Sequence, residues 1–136
     1  MNRNEPQPGE AKRRLPRGLS DGARKLWYEL SGELIDIGVM RSTDVPAFIL
    51  MAEHYGMARE AAKKIAEEGL TTVDERGLPR KHPLLQVLRD NSTAFRMYAA
   101  EFGLTPSARS RLQIRPVAEQ PSLAEQLFNM AVMDDE

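Results

Sequence analysis

The side chains in this chain best suited to chemistry are its clustered cations, and the chemistry they offer is neutralisation of phosphate. Lys12, Arg13 and Arg14 stand together with Arg17 close behind, Arg24 and Lys25 are adjacent, Lys63 and Lys64 are adjacent, and Arg109 and Arg111 alternate with small residues. Lys and Arg grouped in this way contact a nucleic-acid backbone without reading its sequence. The plain alternative is solvated charge on a polar surface. No other constellation has comparable reach. His54 and His82 are the only histidines and do not stand at a metal-binding spacing, which assigns them ordinary surface or boundary roles. The adjacent carboxylates Glu67-Glu68 and Asp74-Glu75 lack companion ligands and read as helix-end and turn charges. Ser20, Ser31 and Ser107 have no recognisable base partner and suit caps and turns. A GxxxxGK[ST] phosphate loop is absent, as is cysteine, so the expectation is no catalytic residue, no metal and no cofactor.

The charge is distributed unevenly along the chain. A formal net charge of -1 over 136 residues conceals a basic head and an acidic tail. Residues 1–25 hold seven Lys or Arg against Glu5, Glu10 and Asp21, a balance of +4. Residues 116–136 hold Glu119, Glu125, Asp134, Asp135 and Glu136 with no Lys or Arg, a balance of −5. Two ends of opposite sign call for two different partners, or for each other. With 41% hydrophobic and 29% charged residues the composition is that of a soluble globular domain, and no apolar run approaches the roughly 20 residues of a membrane span. The N-terminus lacks the apolar stretch of a secretory signal, so a cytoplasmic location is expected.

The elements that must position the cations are helical. Residues 1–18, rich in Pro and Gly and poor in apolar side chains, read as a flexible basic arm. A first helix is expected from a Ser20 cap, with Leu26, Trp27, Leu30, Leu34 and Ile37 at helical spacing and Gly38 as its stop. Ser42 or Thr43 then caps a long helix from about Asp44 to Glu68, in which Pro46 is harmless and Gly56 marks a kink or a close helix crossing. Leu70 to Pro83 loses the helical period and offers a small hairpin or ordered loop around Asp74-Glu75-Arg76-Gly77. A third helix runs from Pro83 to Phe102 and a short fourth from Pro106 to Leu112. Between them Gly103 permits a left-handed helix end, Thr105 supplies a cap and Pro106 suits the first helical position. Ser122-Leu123-Ala124-Glu125 has the form of a capping box before a last amphipathic segment. The expected architecture is therefore all-α, with three or four helices, a hairpin or loop between the second and third, and flexible termini. Phe48, Tyr55, Phe95, Tyr98 and Phe102 recur with Leu and Ile at helical spacing, so core packing or a subunit interface outweighs base stacking, and they are the candidate oligomerisation residues. The Gly38 turn hints at a helix-turn-helix, but Val39 to Thr43 is longer than its usual tight turn.

The ordered set Leu19-Ser20, Leu26-Trp27, Asp44, Glu68-Gly69-Leu70-Thr71, Gly77, Lys81-His82-Pro83 and Phe102 through Leu112 resembles the small terminase subunits of tailed double-stranded DNA bacteriophages, of the phage-27-like family. The block Gly103-Leu104-Thr105-Pro106-Ser107-Ala108-Arg109-Ser110-Arg111-Leu112 is its most specific part. The resemblance spans about Leu19 to Leu112 and implies a non-enzymatic packaging factor. Such proteins assemble into rings, bind the packaging initiation region of viral DNA and present it to a large terminase that supplies ATPase and nuclease activity, in the cytoplasm of the bacterial host. Under this reading the chain divides into a basic arm (1–18), a helical core (19–115) and an acidic tail (116–136). The expected DNA contacts are Lys12, Arg13, Arg14, Arg17, Arg24, Lys25, Lys63, Lys64, Arg109 and Arg111. Leu123, Leu127, Phe128 and Met130 form a partner-binding stripe on the tail, directed at the large subunit. The rival readings are a helical transcription regulator and a structural head-assembly protein.

Overall fold

The computed structural model describes residues 8–111 and Leu127. The chain forms two compact units, Met1–Phe102 and Gly103–Glu136. In the first, helix α1 (Asp21–Asp36) is followed by a 3-10 turn (Ser42–Asp44), helix α2 (Val45–Glu68), strands β1 (Thr71–Val73) and β2 (Pro79–Lys81), and helix α3 (Leu84–Glu101). The second contains helix α4 (Pro106–Arg111).

Each helix begins and ends for a local reason. Ser20 caps α1, its Oγ accepting from the Ala23 amide at 3.3 Å, with Asp21 beside the exposed amides of the first turn. At the other end Gly38 takes a φ of 76°, while the Val39 and Gly38 amides donate back to the Leu34 and Ile35 carbonyls, both at 3.0 Å. That pair of bonds is a Schellman closure, and it satisfies carbonyls the helix leaves open. The expected Ser42 or Thr43 cap on α2 is not what forms. Instead those residues enter a 3-10 turn, and the Asp44 carboxylate accepts from the Arg41 amide at 2.8 Å, because a carboxylate three residues on reaches back to that donor. Thr105 caps α4 as expected, its hydroxyl accepting from the Ala108 amide at 3.2 Å.

The mid-helix Gly56 is a close crossing rather than a kink. A Cβ placed on Gly22 of α1 would lie 2.5 Å from the Gly56 Cα, so the two backbones touch where neither residue has a side chain. This approach brings the apolar faces of α1 and α2 together over a core of Trp27, Leu26, Phe48, Met40, Met51 and Ile65. Trp27 meets Phe48 edge-on at 5.4 Å, and Phe48 meets Phe102 edge-on at 5.7 Å. Such edge-to-face pairs add about 0.5–1.5 kcal/mol beyond their area burial.

The hairpin forms where it was expected, pairing Thr71 with Lys81 and Val73 with Pro79. Its turn is organised by Asp74, whose carboxylate accepts from the Arg76 and Leu78 amides at 2.9 Å and from Arg80 Nε at 3.0 Å. The Leu78 amide and the Arg80 guanidinium hold the Asp74 carboxyl below its ordinary range, since each stabilises the ionised form. At the base, His82 is buried to 3% exposure instead of taking a surface role. Its Nδ1 accepts from the Leu84 amide at 3.1 Å, which leaves Nε2 carrying the proton it gives to the Glu68 carboxylate at 2.5 Å. One imidazole therefore ties the end of α2 to the start of α3.

Candidate nucleic-acid interface

The basic segment ahead of α1 is held against the joint between α1 and α2. Arg41 donates from Nε and Nη2 to the Pro8 carbonyl at 3.2 and 2.9 Å, and the Ser42 amide donates to the Gly9 carbonyl at 2.9 Å. Ala11 is buried beside this contact. In the described part of the segment expected as a flexible basic arm, residues 8–18, the backbone carbonyls of Pro8 and Gly9 thus meet donors on the joint. Arg13 returns to α1 to pair with Asp36. Lys12, Arg14 and Arg17 remain exposed and carry no ion pair with a described residue.

The other expected cations fall into different settings. Arg24 pairs with Asp21 on the same helix, and Lys64 pairs with Glu60 at 3.6 Å. Lys25 and Lys63 are exposed and carry no ion pair with a described residue. Within the second unit Arg109 Nη1 donates to the Gly103 carbonyl at 3.3 Å, which turns its guanidinium toward its own helix joint. Arg111 ends α4, and its side chain lies outside the described residues.

Two of the five proposed oligomerisation aromatics do not face outward. Phe48 and Phe102 are buried inside the first unit, Phe48 edge-on to both Trp27 and Phe102, so both side chains are spent on the unit's own core. Tyr55, Phe95 and Tyr98 are half-buried between α2 and α3, with Tyr55 against Phe95 at 5.6 Å and Tyr98 stacked on His54 at 6.1 Å. His54 is oriented by the Asn91 side-chain carbonyl at 2.8 Å, and Asn91 in turn by the Val87 carbonyl. Of the tail residues, Leu127 is helical and 58% exposed, while Leu123, Phe128 and Met130 lie outside the described residues.

The helix pair also brings together Arg59 and Arg96, two cations not among those expected from the sequence. Tyr55, Ala58, Ala62, Leu88 and Phe95 floor a groove of about 270 Å³, with Arg59 on one wall and Ser92 and Arg96 on the other. Lys63 is one turn from Arg59 on α2, and Arg89 two turns from Arg96 on α3, but neither Lys63 nor Arg89 lines the groove. All four are exposed, and none has an ion pair with a described residue. No local spacing marks Arg59 and Arg96 as a pair, which has meaning only once two separate helices lie side by side.

Among the described residues no group of three His, Asp or Glu could hold a metal ion, and no helix is long and apolar enough to cross a membrane. What the surface offers is exposed positive charge on a helical scaffold. No curated protein and no solved structure matches the chain. Residues 23–119 match the family described as phage terminase, small subunit, a stretch that opens inside α1 and takes in the helix crossing, the hairpin and the Gly103 joint. Because that match covers well over half of the sequence, the chain belongs to the phage terminase small subunit family.

Proposed function

We propose that the protein initiates genome packaging in a double-stranded DNA phage or prophage of the phage-27-like type. It binds viral DNA at the packaging initiation region, assembles with copies of itself, and recruits or regulates the large terminase, which supplies ATP hydrolysis and DNA cleavage. The observation that carries this reading is the family match across the folded core. The charge distribution supports its DNA-binding part. Lys12, Arg14 and Arg17 project from a segment fixed to the α1–α2 joint, and Lys25 is exposed on the first turns of α1. Contacts of this kind are weak singly and gain affinity when many copies engage one duplex. The protein itself is non-catalytic in this reading, and its site of action is the cytoplasm of the infected bacterium.

Native mass spectrometry of the full chain, with and without a duplex carrying the packaging initiation region, tests the proposal. The expected result is a multi-subunit species whose mass increases by that of bound duplex. A stable monomer indifferent to DNA would count against it.

A further inference from the structure

The groove between α2 and α3 has no partner in the mechanism above, although its composition is specific. Its floor is apolar and aromatic, and its walls carry Arg59 and Arg96 without an ion pair to any described residue. A phosphate backbone is met by cations alone and gains nothing from a recessed apolar floor. An apolar trough with a cationic rim instead fits a polypeptide segment that presents apolar side chains at helical spacing and carboxylates around them.

The chain itself contains such a segment. Residues 116–136 carry five carboxylates and no Lys or Arg, and they place Leu123, Leu127 and Met130 at spacings of four and three, with Phe128 next to Leu127. We propose that this acidic tail from a second copy of the chain occupies the groove, its apolar stripe on Tyr55, Leu88 and Phe95 and its carboxylates at the arginines. The inference deepens the self-assembly part of the proposed function and rests on it. Groove and tail are different surfaces, so their pairing is heterologous, and a heterologous contact repeated from copy to copy closes into a ring or extends into a filament. The tail is thereby assigned to the neighbouring subunit in place of the large terminase.

The absence of cysteine permits a direct test on the full chain. Two proteins are prepared, one with Ser92→Cys and a mass tag, the other with Leu127→Cys, and they are mixed under mild oxidation. The expected product is a disulfide-linked pair containing one of each. Adding Arg59→Glu and Arg96→Glu to the Ser92→Cys copy should lower its yield about tenfold, because two attractive contacts become repulsive. A circular-dichroism melt of that variant checks that the exposed substitutions leave folding intact. The inference is overturned if the double reversal leaves the mixed product unchanged. It is equally overturned if no mixed product forms, whether the reversal impairs DNA binding alone or tail substitutions impair large-terminase binding alone. Native mass spectrometry of the unaltered chain separates the two levels. A monomer there removes the self-assembly reading itself, whereas an oligomer that yields no mixed link removes only the groove assignment.

Discussion

At the residue scale, His82 does more for the structure than its nearest charged neighbour. It is 3% exposed, accepts from the Leu84 amide and donates to Glu68, whose side chain is 57% exposed. Replacing His82 with Ala opens a cavity and leaves the Leu84 amide without its acceptor, a combined cost of about 2–4 kcal/mol. Replacing Glu68 with Ala removes a partner that water largely replaces, at a cost of about 1 kcal/mol or less. Urea unfolding of both variants should therefore place His82→Ala well below Glu68→Ala. Equal losses would show that the imidazole matters only through its ion pair. The burial of His82 was not legible in the sequence. Lys81-His82-Pro83 reads as a polar helix start, and only the return of the hairpin against the end of α2 encloses the ring. Ser20, Thr105 and Gly38 were legible, since caps and left-handed glycines act within a few residues of themselves.

At the scale of elements, the α1–α2 crossing turns on two glycines in different helices. A methyl group on Gly22 would stand 2.5 Å from the Gly56 backbone, which has no flexible side chain that could yield. Gly22→Ala should therefore force α1 away from α2 and cost about 1–3 kcal/mol, despite the better helix propensity of alanine. Thermal denaturation checks this, and an unchanged or raised Tm would mean that the helices are not in backbone contact. The boundaries of all three long helices and the hairpin followed from periodicity and turn residues, because those signals are local. The pairing of helix faces did not follow. Phe48 and Phe102 could be assigned to an apolar face but not to the interior over an interface, and Arg59 and Arg96 became a pair only when α2 and α3 were set together.

At the scale of the whole molecule, the proposed DNA contact is electrostatic and should behave so. If about three phosphates are neutralised by each subunit, the slope of log affinity against log salt is about −2.7 per subunit. Substituting Lys12, Arg14 and Arg17 together with Gln should bring that slope close to zero, whereas Arg13→Gln should change it less, because Arg13 is already engaged by Asp36. Fluorescence anisotropy across a salt series measures both. An unchanged slope in the triple variant would remove the segment from the interface. The contact of Pro8 and Gly9 with Arg41 and Ser42 sharpens what that segment is. A chain secured at the joint and again where it enters α1 is a closed loop, with no loose end between the two points. The number of shapes available to Lys12, Arg14 and Arg17 is already reduced before DNA arrives. Ordering them on a duplex then forfeits less conformational entropy than a dangling polycation would, so the same few charges bind more tightly than their count implies.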